Sequence, residues 1–160
     1  MQKHKSLVAL VFAAMVLQGC SQQADTAKVQ ADVAKAEAAG QKKIIDAQAK
    51  LDQVVAQNNK DLIGVQADAQ KDATNDPNAP TAAASADIAK ARTSAQIKVG
   101  DAQYDVDKAK AEAVEVVAEA RCEAQVGDAN KTCVSNAKAT FDSAVATAKA
   151  KNEAVHAVRH

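Results

Sequence analysis

Alanine fills 40 of the 160 positions, and no other feature limits the fold of this chain so strongly. Alanine is the best helix former, but its methyl group buries little area. A globular core made mainly of alanine is therefore thin. Aromatic residues are only 2 % of the chain, with no Trp, one Tyr (Tyr104) and two Phe (Phe12 and Phe141). Large and β-branched side chains are too few, and their alternation too short-lived, for a sheet protein. Five Gly and no phosphate-loop pattern argue against a nucleotide-binding α/β enzyme. Together with Ala, the residues Lys, Asp, Glu and Gln dominate the chain, which is the composition of long helices and coiled coils. The sequence predicts an all-α fold: an elongated, Ala-rich helical hairpin, three-helix bundle or coiled coil.

The first twenty residues differ from the rest. Lys3, His4 and Lys5 make a basic start, and LVALVFAAMVL follows from Leu7 to Leu17. That apolar run is too short for a permanent membrane span and fits a secretory signal. It ends in Leu17-Gln18-Gly19-Cys20. This arrangement resembles the bacterial lipoprotein signal. The resemblance implies that residues 1–19 are a signal peptide removed by signal peptidase II. It also implies that Cys20 carries a diacylglyceryl group on sulfur and an acyl group on its new amine. Each buried methylene contributes about 0.8 kcal/mol; one acyl chain holds weakly, whereas two or three hold persistently. Residues 20–25 then form a lipid-anchor tether, and 26–160 an Ala-rich helical domain. Ser21 stands where enteric-type lipoproteins kept in the inner membrane carry Asp. The implied location is the outer membrane, facing the periplasm.

Cleavage would leave 18 basic residues against 20 acidic ones, because Lys3 and Lys5 leave with the signal. No basic patch with interleaved aromatics is present, so nucleic acid is not an expected partner. Three helical stretches follow from the spacing of apolar residues. The first, near 24–72, has a seam of Val33, Gly40, Ile44, Ala47, Leu51, Val54, Asn58, Leu62 and Val65. Gly40 on that seam is either a point of close helix approach or a weak point. Asn58 is either a register-setting polar residue or a second weak point. Pro77 and Pro80 in ATNDPNAPT, residues 73–81, place a loop. The second helix, near 82–126, carries Ile88, Ala91, Ala95, Val99, Ala102, Val106, Ala109, Ala113, Val117 and Ala120 on one face. It is expected to run unbroken through Gly100, since one internal Gly costs only about 1 kcal/mol. The third, near 129–158, carries Val134, Ala137, Phe141, Ala144, Val145, Ala148 and Val155. Between the last two, Gly127-Asp128 reads as a tight turn, with Gly127 as the C′ residue of one helix and Asp128 as the N-cap of the next.

Cys122 and Cys133 lie almost evenly on either side of that turn. In an exported chain this placement favours a disulfide over two reduced core thiols, a redox pair or a metal site. Such a bond contributes on the order of 3 kcal/mol by closing a small loop. The hairpin it braces is expected to be docked more firmly than the first helix. His156 and His160, with Glu153, would share one helix face, but a single pair at a chain end reads as a solvated tail. No metal ligand set, no cofactor and no catalytic constellation is expected. Tyr104 and Phe141 read as packing anchors.

The stretch EARCEAQVGDANKTCVSNAKATF, residues 119–141, looks like the two-Cys segment of small Ala-rich exported envelope proteins. In composition these proteins resemble the helical region of the Tol-system protein TolA. The lipid Cys ahead of a long helix is similar to the major outer-membrane lipoproteins. The chain ends in Arg159-His160 and not in the Lys through which the murein-linked type joins peptidoglycan. These resemblances imply a non-enzymatic, lipid-anchored periplasmic protein acting as envelope spacer, scaffold or integrity factor. The alternative is a stress-protective or holdase-like protein that binds unfolded chains or membranes. The implied partners are the membrane through Cys20, an envelope protein or peptidoglycan held non-covalently, and a second copy of the chain.

Overall fold

In the computed structural model, residues 26–75 and 81–157 are described. They form three helices: α1 (Thr26–Asn75), α2 (Thr81–Cys122) and α3 (Asp128–Ala157). Among the described residues there is no strand, and the fold is all-α. The 1–19 signal segment, the 20–25 tether with Cys20, the two prolines and His160 lie outside the described residues. α1 runs three residues beyond its expected end at 72. α2 is unbroken through Gly100, as expected, but stops at Cys122 and not at 126.

Alanine explains the length of the helices, and local side-chain bonds explain how their polar residues are tolerated. Thr74, Thr93, Thr140 and Thr147 each donate a hydroxyl to the carbonyl four residues back. That bond satisfies a Thr inside a helix. Gln48, Gln57 and Gln103 each donate an amide to the Asp four residues on. Such pairs add a few tenths of a kcal/mol, about 0.2–0.5 each.

α1 and α2 pack antiparallel along most of their length. Lys28 meets Glu123 at one end, Lys43 meets Glu112 further in, and Asn58 meets Ala95 beyond that. The core lies midway along this pair, where Ala47 and Leu51 meet Ala102, Val106 and Ala109, with Ile44, Val54 and Val99 around them. Contact positions recur every eleven residues: Gly40, Leu51 and Leu62 in α1, and Ala91, Ala102 and Ala113 in α2. Eleven residues over three turns is close to the natural helical period, so both helices stay in contact with little supercoiling.

α3 packs antiparallel on α2 and makes no contact with α1 among the described residues. α2 is therefore the middle of an open layer. Val106 faces α1 and Ala111 faces α3; five residues apart, they point roughly 140° away from each other. The second seam of α2 runs through Gly100, Tyr104, Asp107, Ala111, Glu115, Ala118 and Cys122, all buried or half-buried. On α3 only Ala137 and Ala148 are buried. The main apolar core thus joins α1 to α2 and not α2 to the braced α3.

Candidate functional site

The connection between α2 and α3 spans residues 123–127 and is longer than the two-residue turn the sequence suggests. After Cys122 the chain tightens: the Ala124 amide donates to the Arg121 carbonyl (3.2 Å) and the Gln125 amide to the Cys122 carbonyl (2.9 Å). Asn130 then reaches back from α3, its Nδ2 donating to the same Cys122 oxygen at 2.7 Å. The Cys122 carbonyl at the helix end thereby accepts two donors, one from the turn and one from α3. Gly127 adopts φ 63°, the left-handed conformation that favours glycine. Its carbonyl accepts the Lys131 amide, so Gly127 is the N-cap of α3 and not the C′ residue of α2. Asp128 is the first helical residue, where its charge favours the helix dipole. Both capping expectations are corrected by this one shift.

The same turn brings Cys122 and Cys133 to disulfide distance, with Cα atoms 5.6 Å apart. Cys122 is fully enclosed, and the pair links α2 to α3 beside the turn that joins them. Lys28 from α1 reaches this end too, donating to Asp32 and Glu123. These two bonds raise its pKa above the usual lysine value.

A polar cluster ties the other end of α3 to α2. Asn152 Nδ2 and His156 Nε2 both lie on Asp101 Oδ1, at 2.9 and 2.8 Å. The bond from His156, then that from Asn152, lowers the Asp101 pKa below its ordinary value. His156 is thus a contact residue, and the solvated-tail reading of it is corrected. Lys151 adds a long ion pair to Asp107, at 3.9 Å. Midway along the seam, burial first and then the charges of Glu119 and Asp142 raise the Glu115 pKa.

Where α3 ends, an open groove of about 720 Å³ lies across the layer. Asn58, Leu62, Ala95 and Val99 line it, with Arg92 on one side and Val155 of α3 on another. Asn58 is 95 % buried and donates its Nδ2 to the Ala95 carbonyl at 3.0 Å. This bond ties α1 to α2 within the chain. Exposed Ile45, Val55, Ile63 and Val114 give the surface further apolar points.

Among the described residues, no three His, Cys, Asp or Glu side chains are grouped to hold a metal ion. No described helix is long and apolar enough to cross a membrane. No protein-family model, curated protein or solved structure matches the chain. The sequence reading found the two thiols and the α1–α2 seam. It missed Asp101, Asn152 and His156 as a group, because they lie 51 and 55 residues apart.

Proposed function

We propose that this chain is a non-enzymatic, lipid-anchored helical rod of the bacterial envelope, acting as a periplasmic spacer or scaffold. The observation that carries the reading is the Leu17-Gln18-Gly19-Cys20 sequence at the end of the apolar run. Geometry adds to it. Thr26 begins a 50-residue helix only six residues after Cys20. Such a helix is about 75 Å long. A lipid on Cys20 would seat the Thr26 end of the rod, with the Cys122–Cys133 turn beside it, near the membrane surface. An oxidising periplasm would keep that pair bonded and so brace the seated end.

The test is metabolic labelling with a fatty-acid analogue in a bacterial host. The wild-type chain should be labelled and fractionate with membranes. Cys20→Ser should be unlabelled and remain unprocessed or soluble. A wild-type chain that carries no lipid and is cut elsewhere would refute the reading.

The groove and the exposed Ile45, Val55 and Ile63 favour one second reading, a holdase-like protein for unfolded chains. Residues 21–160 in excess should then suppress heat aggregation of a model enzyme. A spacer would leave that aggregation unchanged.

A further inference from the structure

We propose that the last turns of α3, residues 148–157, are a hinged flap that lifts from α2 while the Cys122–Cys133 end stays fixed. Several observations converge on this division. α3 rests on α2 alone, so lifting it disturbs no third element. Its first turns are pinned by the Cys122–Cys133 pair and by the Asn130 bond to the Cys122 carbonyl. Its last turns are pinned by polar contacts to one carboxylate oxygen of Asp101. Between them α3 buries only two small apolar residues, Ala137 and Ala148, with Val134, Phe141 and Val145 half-buried.

The closed position is also incomplete. Asn152 spends its amide nitrogen on Asp101, and its Oδ1 is enclosed with no hydrogen-bond partner. An enclosed acceptor without a partner disfavours the state that encloses it. Lifting the flap returns that oxygen to water, while Asp101 and His156, both partly exposed, regain hydration. Close approach is nevertheless built in. A Cβ at Gly100 would lie 2.9 Å from Val155 Cγ1 and 3.1 Å from Asn152 Oδ1. The flap therefore has a well-defined closed seat. Ala148, Val155 and the polar contacts of Lys151, Asn152 and His156 hold it, and the unpartnered Asn152 oxygen opposes them. Such a balance allows two populated states. Val155 is the α3 residue lining the groove beside Leu62 and Val99, so the flap position sets how far that groove opens.

Thiol accessibility tests this in the Cys20→Ser chain, whose two remaining cysteines are paired. Ala137 and Ala148 are 8 % and 5 % exposed, so cysteine at either site starts from similar burial. Ala148→Cys should react with a small thiol reagent faster than Ala137→Cys. Asp101→Ala removes both bonds and should speed labelling at 148 by roughly tenfold to a hundredfold, threefold to tenfold for each bond lost, and leave 137 unchanged. Equal rates at the two sites, or equal acceleration by Asp101→Ala, would overturn the proposal. Limited trypsin digestion reads the same order without added cysteines. Cleavage after Lys149 and Lys151 should precede cleavage after Lys138, and Asp101→Ala should hasten the first alone. Simultaneous cleavage at all three would count against the flap.

Discussion

Gly40 of α1 lies against Ala113 of α2 so closely that a Cβ on residue 40 would sit 2.7 Å from the Ala113 Cβ and 3.1 Å from its Cα. Both atoms belong to a helix that moves only as a whole. Gly40→Ala should therefore destabilise the α1–α2 pair by about 1–3 kcal/mol, the cost of overpacking, even though Ala is the better helix former. Gly64 is the control, since nothing lies within 4 Å of its added Cβ. Gly64→Ala should stabilise by about 0.5–1 kcal/mol. Urea unfolding of the two variants should move in opposite directions, and Ala113→Gly should recover part of the Gly40→Ala loss.

Removing the covalent brace should weaken the turn end of the layer. Cys122→Ala with Cys133→Ala, or reduction of the wild type, should cost on the order of 3 kcal/mol. For a chain of this size the melting midpoint should fall by roughly 10 °C. Thermal unfolding followed by circular dichroism, with and without a dithiol reductant, measures it. Non-reducing digestion should recover the two cysteines linked within one chain.

Acid should act on the α2–α3 seam with two opposed signs. Asp101 has its pKa lowered from 3.8, so its contribution is present above that value and lost as pH falls through the lower folded value. It faces Asn152 and His156 from α3, and it lines a shallow groove with Lys98 and Asp105 of α2 and Lys50 of α1. Glu115 has its pKa raised from 4.5 by burial first and then by Glu119 and Asp142, so the cost of its charge weakens as pH falls towards that range. Stability should rise slightly as pH falls from neutral towards 4.5 and fall once pH drops below 3.8. Glu115→Gln should remove the rise, and Asp101→Asn should blunt the fall. Melting curves across pH 3 to 7 separate the two.

Hydrogen exchange should be slowest in the middle of α1 and α2. Ala47 and Leu51 meet Val106 there, and Val106 is wholly enclosed. Residues 44–54 should equal or exceed residues 134–148 in protection, because apolar packing sets helix stability more than propensity does. Faster exchange in 44–54 would show that the apolar core is not what holds α1.

The seam of α1 was legible because its larger apolar residues recur on one face. Every residue from Val33 to Val65 assigned to it is buried or half-buried. The matching face of α2 was legible for the same reason. Its second face was not, because Tyr104, Asp107 and Glu115 interrupt the apolar signal that identifies a buried stripe. A helix with two partners spreads its apolar residues around the circumference, and spacing alone then reveals only the stronger stripe. The polar cluster at Asp101 was hidden for another reason. Its members are ordinary helix-surface residues until α3 is laid antiparallel on α2. The turn was misjudged because a Gly next to an Asp suits either a helix end or a helix start. Only the Lys131 amide on the Gly127 carbonyl distinguishes the two.

α3 is twelve residues shorter than α2 and starts at the same end of the layer as α1. The layer is thus three helices broad beside Thr26 and two helices broad from about Asp101 to Thr81. Such an object tapers, as a cantilever does. Bending resistance rises steeply with width in the plane of the layer, so lateral load should concentrate its flexing in the narrow half. A chain held at its Thr26 end would keep a rigid root while its far tip swept sideways. The step between the two widths, where Val155 meets Gly100, is where the curvature would begin.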